Sequence, residues 1–184
     1  MKIRAGFVSN SSSSMFVVAF PRVPKSAKEV KEILFGNSNT FENPYDEGST
    51  PTEDIAKTVW GDIQPQRKWT KKHRDTKVYE AIANGWYEGQ PKYENFALPS
   101  PPSVSTIVNG KTVVTERRRV ETDYKAYEEA CTKAASKIVD KLLDNWKNKT
   151  IYVFSYGDDG GSYYSVLEHG GIFNTLPHKQ ISYH

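Results

Sequence analysis

The chain has 184 residues, of which 37% are hydrophobic and 12% aromatic, enough to fill one core of ordinary size. Its 25 basic residues exceed its 22 acidic residues by three, a balance that does not by itself indicate a nucleic-acid binder. The single cysteine, Cys131, excludes an intramolecular disulfide and favours a reducing cytoplasm. No apolar stretch is long enough to span a membrane, so we expect no membrane partner.

The first part of the chain predicts one strand and two helices. The Phe and Val run at residues 16–20 is typical of a short buried strand. Ser26 and Glu29 form a capping box before an apolar pattern, which predicts a helix over residues 26–35. A second box, with Thr50 as the N-cap, predicts another helix after an intervening loop.

The middle of the chain gives weaker signals. Residues 64–102 lack clean periodicity, apart from part of a helix near residues 78–82, and are expected to form an irregular cover over the core. The next segment, about 103–115, has Asn109 and Gly110 between two β-branched runs. Because this dipeptide favours a type I′ turn, the segment predicts a projecting β-hairpin.

A long helix is predicted over about residues 123–146, with Thr122 as its N-cap. Its apolar residues recur at intervals of three and four and form one stripe, consisting of Tyr124, Tyr127, Cys131, Ala134, Ile138, Leu142 and Trp146. Two strands are predicted after it, at residues 151–156 and 162–168, and a further strand at residues 180–184.

Together these elements predict an α+β fold in a single domain spanning residues 1–184. We expect a mostly antiparallel sheet, built from the N-terminal strand and the C-terminal hairpin. This sheet should pack against the long helix.

Two stretches resemble an uncharacterised family of small proteins encoded by bacteriophages and bacteria. The first is "MKIRAGFVSNSSSS", followed directly by an apolar strand. The second is "DDGGSYYSVLEHGGIFNTLPHKQISYH", with its Leu-Glu-His-Gly step and its closing Pro-His and Ile-Ser-x-His. The two stretches cover about a third of the chain. The resemblance implies a phage-type origin and a location in the bacterial cytoplasm, but it implies no mechanism and no cofactor.

The N-terminal polar run is a candidate anion-binding loop. Small hydroxyl side chains and successive backbone N–H groups in a turn can surround a phosphate, and a nearby arginine can add a bidentate contact. The residues in question are Arg4, Asn10, Ser11, Ser12, Ser13 and Ser14. The alternative is a solvated turn whose serines bond their own backbone, since the spacing matches no known phosphate-binding loop.

The C-terminal stretch offers a candidate catalytic site. His169 could act as a base, with Glu168 or Asp159 as its orienting carboxylate and His178 as a second imidazole. The acidic residues and imidazoles could also hold a divalent metal, but the histidine spacing matches no metal motif, so no metal ligands are assigned. The alternatives are a simple hairpin turn at the acidic residues and structural, hydrogen-bonded histidines.

A shared site would form if the N-terminal strand pairs with the C-terminal hairpin. The serine run, residues 10–14, and the acidic turn, residues 157–161, would then leave the same end of the sheet.

A third candidate is the basic stretch at residues 66–74, where cations surround Trp69 in a pattern suited to single-stranded nucleic acid. The run Arg117–Arg119 is better explained as a solvated face.

Two functions follow from these candidates. The first is a phage-type accessory protein that binds a host or phage macromolecule, either a protein or, with weaker support, a nucleic acid. The second is a hydrolase or transferase acting on a phosphate-containing small molecule or nucleic acid. The sequence does not indicate an oligomeric state.

Overall fold

A computed structural model of the protein describes residues 13–42, 48–85, 90–98, 104–109, 111–116, 121–157, 164–169 and 171–183. These residues form an α+β fold, as the sequence predicts. The helices are α1 (Ala27–Phe35), α2 (Thr52–Gln66), α3 (Lys71–Asn84), α4 (Tyr124–Asn145) and α5 (Tyr164–His169). The strands are β1 (Ser13–Phe20), β2 (Thr40–Glu42), β3 (Ser49–Pro51), β4 (Val104–Val108), β5 (Lys111–Glu116), β6 (Thr150–Gly157) and β7 (His178–Tyr183).

The predicted single domain consists of two compact units. The first, here called the sheet unit, comprises residues 1–88 and 137–184. The second, here called the hairpin unit, comprises residues 89–136. The candidate residues that the structure describes all belong to the sheet unit.

The main sheet has three antiparallel strands in the order β6-β1-β7. The predictions of strands at residues 16–20, 151–156 and 180–184 are confirmed, and β1 begins three residues earlier, at Ser13. The chain therefore joins its N-terminal strand to both C-terminal strands, with β1 in the centre.

The prediction of a strand at residues 162–168 is wrong. This segment includes the short helix α5, and the third strand of the sheet is β7, which pairs with β1 and not with β6. Val166, Leu167 and Glu168 are buried in succession. Burial alone does not separate a strand from a helix here, since residues 16–20 of β1 are also buried in succession, but the backbone of this segment is helical and it packs against β6. The acidic residues between β6 and α5 lie outside the described residues.

Alternate residues of β1 bury opposite faces of the sheet. Phe16, Val18 and Phe20 belong to the main apolar cluster, together with residues of β6, α1, α2 and α5. Val17 and Ala19, also fully buried, point to the other face by the pleat of the strand. Helix α3 contacts β1 and β6 and is not part of the main cluster, which indicates that it covers this second face.

The first two helices begin close to the predicted positions. Ser26 Oγ accepts a hydrogen bond from the Glu29 backbone N–H at 3.3 Å, which confirms Ser26 as the N-cap of α1. The Glu29 carboxylate accepts from the Lys25 backbone N–H at 3.0 Å, one residue before the N–H that the predicted capping box would use. The prediction of Thr50 as the N-cap of α2 is wrong, because Ser49–Pro51 forms β3, which pairs with β2 in the segment expected to be a loop. Pro51 occupies the N-cap position instead.

The prediction of an irregular cover over residues 64–102 is wrong for the first half of α3, a regular helix that begins after Thr70. The predicted helical part near residues 78–82 is confirmed as the second half of α3, which ends before Gly85. Thr70 Oγ1 caps it by accepting a hydrogen bond from the His73 N–H at 3.2 Å. Buried residues in α3 are concentrated at Val78, Ala81 and Ile82. Its first half is polar, and this polarity hid the helical period in the sequence.

Gln66, at the end of α2, covers the free edge of β6. Its Nε2 donates to the Val153 carbonyl at 2.6 Å, and its Oε1 accepts from the Val153 N–H at 2.9 Å. The side-chain amide thereby takes the place of a neighbouring strand. Nearby, the Tyr156 hydroxyl donates to Asp62 Oδ2 at 3.0 Å, a second link between α2 and β6.

The hairpin unit contains β4 and β5, and the predicted hairpin is confirmed. Asn109 has a φ of 52°, in the left-handed region that a type I′ turn requires. Residues 93–96 form a 3-10 turn, and Tyr93 contacts the rings of Tyr124 and Tyr127 with centroid distances of 5.5 and 5.3 Å.

Helix α4 has the predicted length, with two corrections. Asp123 and not Thr122 caps it, because Asp123 Oδ1 accepts a hydrogen bond from the Ala126 N–H at 3.0 Å. The buried residues here are Ala135, Val139 and Trp146. Trp146 belongs to the predicted stripe, but Ala135 and Val139 each follow a stripe residue by one position. The buried line of α4 is therefore shifted by one residue from the predicted stripe. Tyr124, which opens that stripe, is exposed.

Candidate functional site

The candidate stretches approach one another at one end of the sheet. Ser13 pairs with Gly157 on β6 and with Tyr183 on β7. Gly157 immediately precedes the acidic turn in the sequence. The remaining candidates of this shared site lie outside the described residues, namely Arg4, Asn10, Ser11, Ser12 and Asp159.

Ser13 and Ser14 do not belong to a turn, so their predicted place in an anion-binding loop is wrong. Both lie in β1, which pairs on both sides. Ser14 is only 3% exposed, and its hydroxyl accepts a hydrogen bond from Gln180 Nε2 at 3.3 Å. Its hydroxyl therefore links β1 to β7 inside the sheet, where a soluble phosphate has no access.

Glu168 and His169 form a carboxylate–imidazole pair at the end of α5. The structure buries Glu168, which is 1% exposed, while the His169 side chain remains 34% exposed. Glu168 Oε2 lies 3.4 Å from His169 Nε2. A buried carboxylate beside an accessible imidazole is an arrangement used in general acid–base chemistry.

His178 lies away from the serine run. It pairs with Val18, five residues along β1 from Ser13, which corresponds to roughly 17 Å of extended strand. Its Nδ1 lies 3.0 Å from the Leu176 carbonyl oxygen. This contact fits a structural histidine that fixes the start of β7, which was the alternative to the predicted role of His178 as a second imidazole of the catalytic site.

Within the described segments, no three His, Cys, Asp or Glu side chains are grouped closely enough to hold a metal ion. Among the same residues, no helix combines the length and the apolar character needed to cross a membrane.

A basic pocket of about 340 Å³ lies between the start of α3 and the connection from α4 to β6. Cations and apolar side chains predominate in its lining, which consists of Lys71, Arg74, Asp75, Leu143, Trp146, Lys147, Lys149 and Ile151. The two contributing segments are more than 60 residues apart in the sequence. Folding thus adds two lysines to the basic stretch at residues 66–74.

The charges of the basic pocket are largely uncompensated. Asp75 is its single lining carboxylate, and it already pairs with Lys71 at 2.6 Å. Arg74 Nε is inaccessible and has no hydrogen-bond partner in the described part of the chain. Lys147 and Lys149 are exposed at the tight turn that follows Trp146. The pocket therefore presents a positive potential beside an apolar wall.

An open groove of about 590 Å³ extends from the pocket along α3. Lys71 and Asp75 line both spaces, and Lys72, Thr76 and Tyr79 line the groove alone. One aromatic ring and a further cation thus lie beside the pocket, as an extended anionic chain would require.

The charges of Arg74 and Arg67 affect the pKa of a tyrosine in the main sheet. Burial raises the pKa of Tyr152 above its ordinary value, while the positive charges of Arg74 and Arg67 act in the opposite direction. Arg67 also lies over the Trp60 ring, 5.5 Å from its centroid. These interactions confirm that basic side chains gather at this part of the sheet unit.

Sequence reasoning identified one half of the basic pocket and missed the other. Trp69 and His73 are in ring contact at 5.0 Å, but the lining aromatic residue is Trp146. Lys147 and Lys149 flank the end of a predicted helix, where cations are common for other reasons. Their partnership with α3 depends on tertiary structure. Arg117–Arg119 lie outside the described residues.

Comparisons with family models, with curated proteins and with solved structures each gave no match. A function is therefore inferred from the geometry of this chain.

Proposed function

We propose that the protein acts by binding a macromolecule, as a phage-type accessory protein in the bacterial cytoplasm, and that this macromolecule is single-stranded nucleic acid. The observation that carries the proposal is the basic pocket. It collects four cations from two distant segments around a wall containing Trp146, with one carboxylate that is already paired.

The chemistry of the pocket and groove favours a phosphate-bearing polymer over a protein partner. Lysine and arginine neutralise phosphates whatever the base sequence, and aromatic side chains give bases a surface to stack on. Tyr79 in the groove and Trp146 in the pocket supply aromatic surface beside these cations. A flexible single strand can enter spaces of this size, whereas a duplex is too wide and stiff to do so.

Fluorescence anisotropy with a labelled single-stranded oligonucleotide tests the proposal. The double variant Lys147→Ala/Lys149→Ala should weaken binding by about tenfold or more, because two phosphate contacts are lost. The matched control is Lys28→Ala/Lys31→Ala, which removes the same charge from α1, outside the pocket. Equal loss in both double variants would refute a specific site. Stronger binding of poly-glutamate than of the oligonucleotide would favour an acidic protein partner instead.

The Glu168–His169 pair favours a second candidate, a hydrolase or transferase acting on a phosphate-containing substrate. The partly exposed imidazole, held beside a buried carboxylate, has the features of a proton-transfer group. Hydrolysis of chromogenic phosphomonoesters and phosphodiesters tests it. His169→Ala should abolish turnover with little change in thermal stability, while the surface variant His73→Ala should retain it. Turnover unaffected by His169→Ala would exclude this role.

A further inference from the structure

Arg74 brings a guanidinium group to the lining of the basic pocket. Its Nε is inaccessible and makes no hydrogen bond to any described residue. An anion in the pocket would therefore be held through the other Arg74 atoms, which line the pocket. Since guanidinium donors form a planar fork, the matching anion is one with two oxygens in one plane, such as a phosphate.

The charge of the pocket exceeds what one internal phosphodiester requires. Once Lys71 is paired with Asp75, three further cations remain in the lining: Arg74, Lys147 and Lys149. An internal diester carries one negative charge, while a phosphomonoester carries between about 1.5 and 2 at neutral pH. A terminal monoester therefore matches this group of cations better than a diester does.

The size of the basic pocket points in the same direction. Its volume of about 340 Å³ lies near the lower limit for small-molecule sites, which span roughly 300–1,000 Å³. It accommodates a single nucleotide and not a continuous strand. The groove along α3 begins at the shared residues Lys71 and Asp75, and it offers a path for the nucleotides that follow.

Building on the proposed nucleic-acid binding, we infer that the basic pocket binds a terminal phosphomonoester, so that the protein recognises the phosphorylated end of a single strand. Arg74 holds the phosphate with its guanidinium fork, and Lys147 and Lys149 neutralise the second charge. The apolar wall at Trp146, Leu143 and Ile151 contacts the terminal nucleoside. The groove along α3 receives the adjoining backbone.

A competition experiment in fluorescence anisotropy tests the inference. It compares oligonucleotides of one sequence that carry a 5′-phosphate, a 3′-phosphate or only hydroxyl ends. One phosphorylated strand should bind about tenfold more tightly than the hydroxyl strand, a difference expected from additional charge-assisted hydrogen bonds. Arg74→Lys keeps the charge but removes the fork, and should reduce this preference to less than about twofold. Arg67→Lys is the matched control, since Arg67 lies over Trp60 and does not line the pocket. It should retain the preference.

Lys149→Ala provides a second variant at an exposed position, in case Arg74→Lys disturbs folding. It should also reduce the preference for the phosphorylated end. Equal binding of phosphorylated and hydroxyl strands by the wild-type protein would overturn the inference and leave nucleic-acid binding standing. Failure of every strand to bind would overturn the proposed function itself. If every strand fails but a nucleoside monophosphate binds, the source of the phosphomonoester is a free nucleotide and not the end of a strand.

Discussion

Replacing Gln66 with alanine should destabilise the sheet at its β6 edge. The amide of Gln66 makes two hydrogen bonds with the backbone of Val153, at 2.6 and 2.9 Å, and its Nε2 also lies 3.1 Å from the Asp62 carbonyl oxygen. Gln66 is 5% exposed, so water does not readily replace it. The alanine variant would leave one backbone donor and one acceptor of Val153 without their partner.

An unpaired buried polar group costs about 1–3 kcal/mol, and partial access of water to Val153 lowers the sum for two groups. We expect Gln66→Ala to reduce the free energy of unfolding by about 2–4 kcal/mol. Urea denaturation followed by circular dichroism measures this change. For a chain of this size, each kcal/mol lowers Tm by about 2–4 °C, so thermal unfolding gives an independent value.

Gln64→Ala is the matched control, because Gln64 lies exposed on the same helix. It should change stability by less than about 0.5 kcal/mol. If the two variants prove equally stable, the amide does not protect the edge of β6, and the reasoning about this edge is wrong.

Two further outcomes follow from the structure. Val139→Ala should lower the free energy of unfolding by about 1–3 kcal/mol in urea denaturation, because Val139 is buried. The control Lys141→Ala, at an exposed position of the same helix, should lower it by less than about 0.5 kcal/mol. Similar values for the two variants would contradict the burial of Val139. Burial raises the pKa of Asp62, although the hydrogen bond from Tyr156 acts in the opposite direction. The folded state then retains this proton to higher pH than the unfolded state, so stability falls as pH rises above the ordinary aspartate pKa of 3.8. Asp62→Asn should remove this part of the pH dependence, and an unchanged profile would contradict the raised pKa.

Local signals in the sequence were sufficient for most of the fold. The N-cap at Ser26, the hairpin with its left-handed Asn109 and the aromatic strand at residues 16–20 each depend on a few residues, and all three appear as predicted. The prediction of a strand at residues 162–168 failed because its aromatic composition suits a strand, while the edge of β6 that a hairpin partner would use is covered by Gln66. Tertiary competition for sheet positions is not visible in local composition.

The candidate site was less predictable than the fold. His169 and Glu168 are neighbours in the sequence, so their contact could be anticipated, but the burial of Glu168 could not. Ser14 resembles a loop residue in composition and lies inside the sheet. The basic pocket depends on Lys147 and Lys149 meeting α3, a contact that only folding brings about.

The salt dependence of binding tests the central claim most directly. For single strands, the logarithm of the binding constant falls with the logarithm of salt concentration, with a slope of about −0.7 per phosphate contact. If Lys147 and Lys149 each contact a phosphate, Lys147→Ala/Lys149→Ala should make the slope shallower by roughly 1.4, while Lys28→Ala/Lys31→Ala should leave it unchanged. An equal slope for wild type and the Lys147/Lys149 variant would contradict the assignment of the basic pocket as the nucleic-acid site.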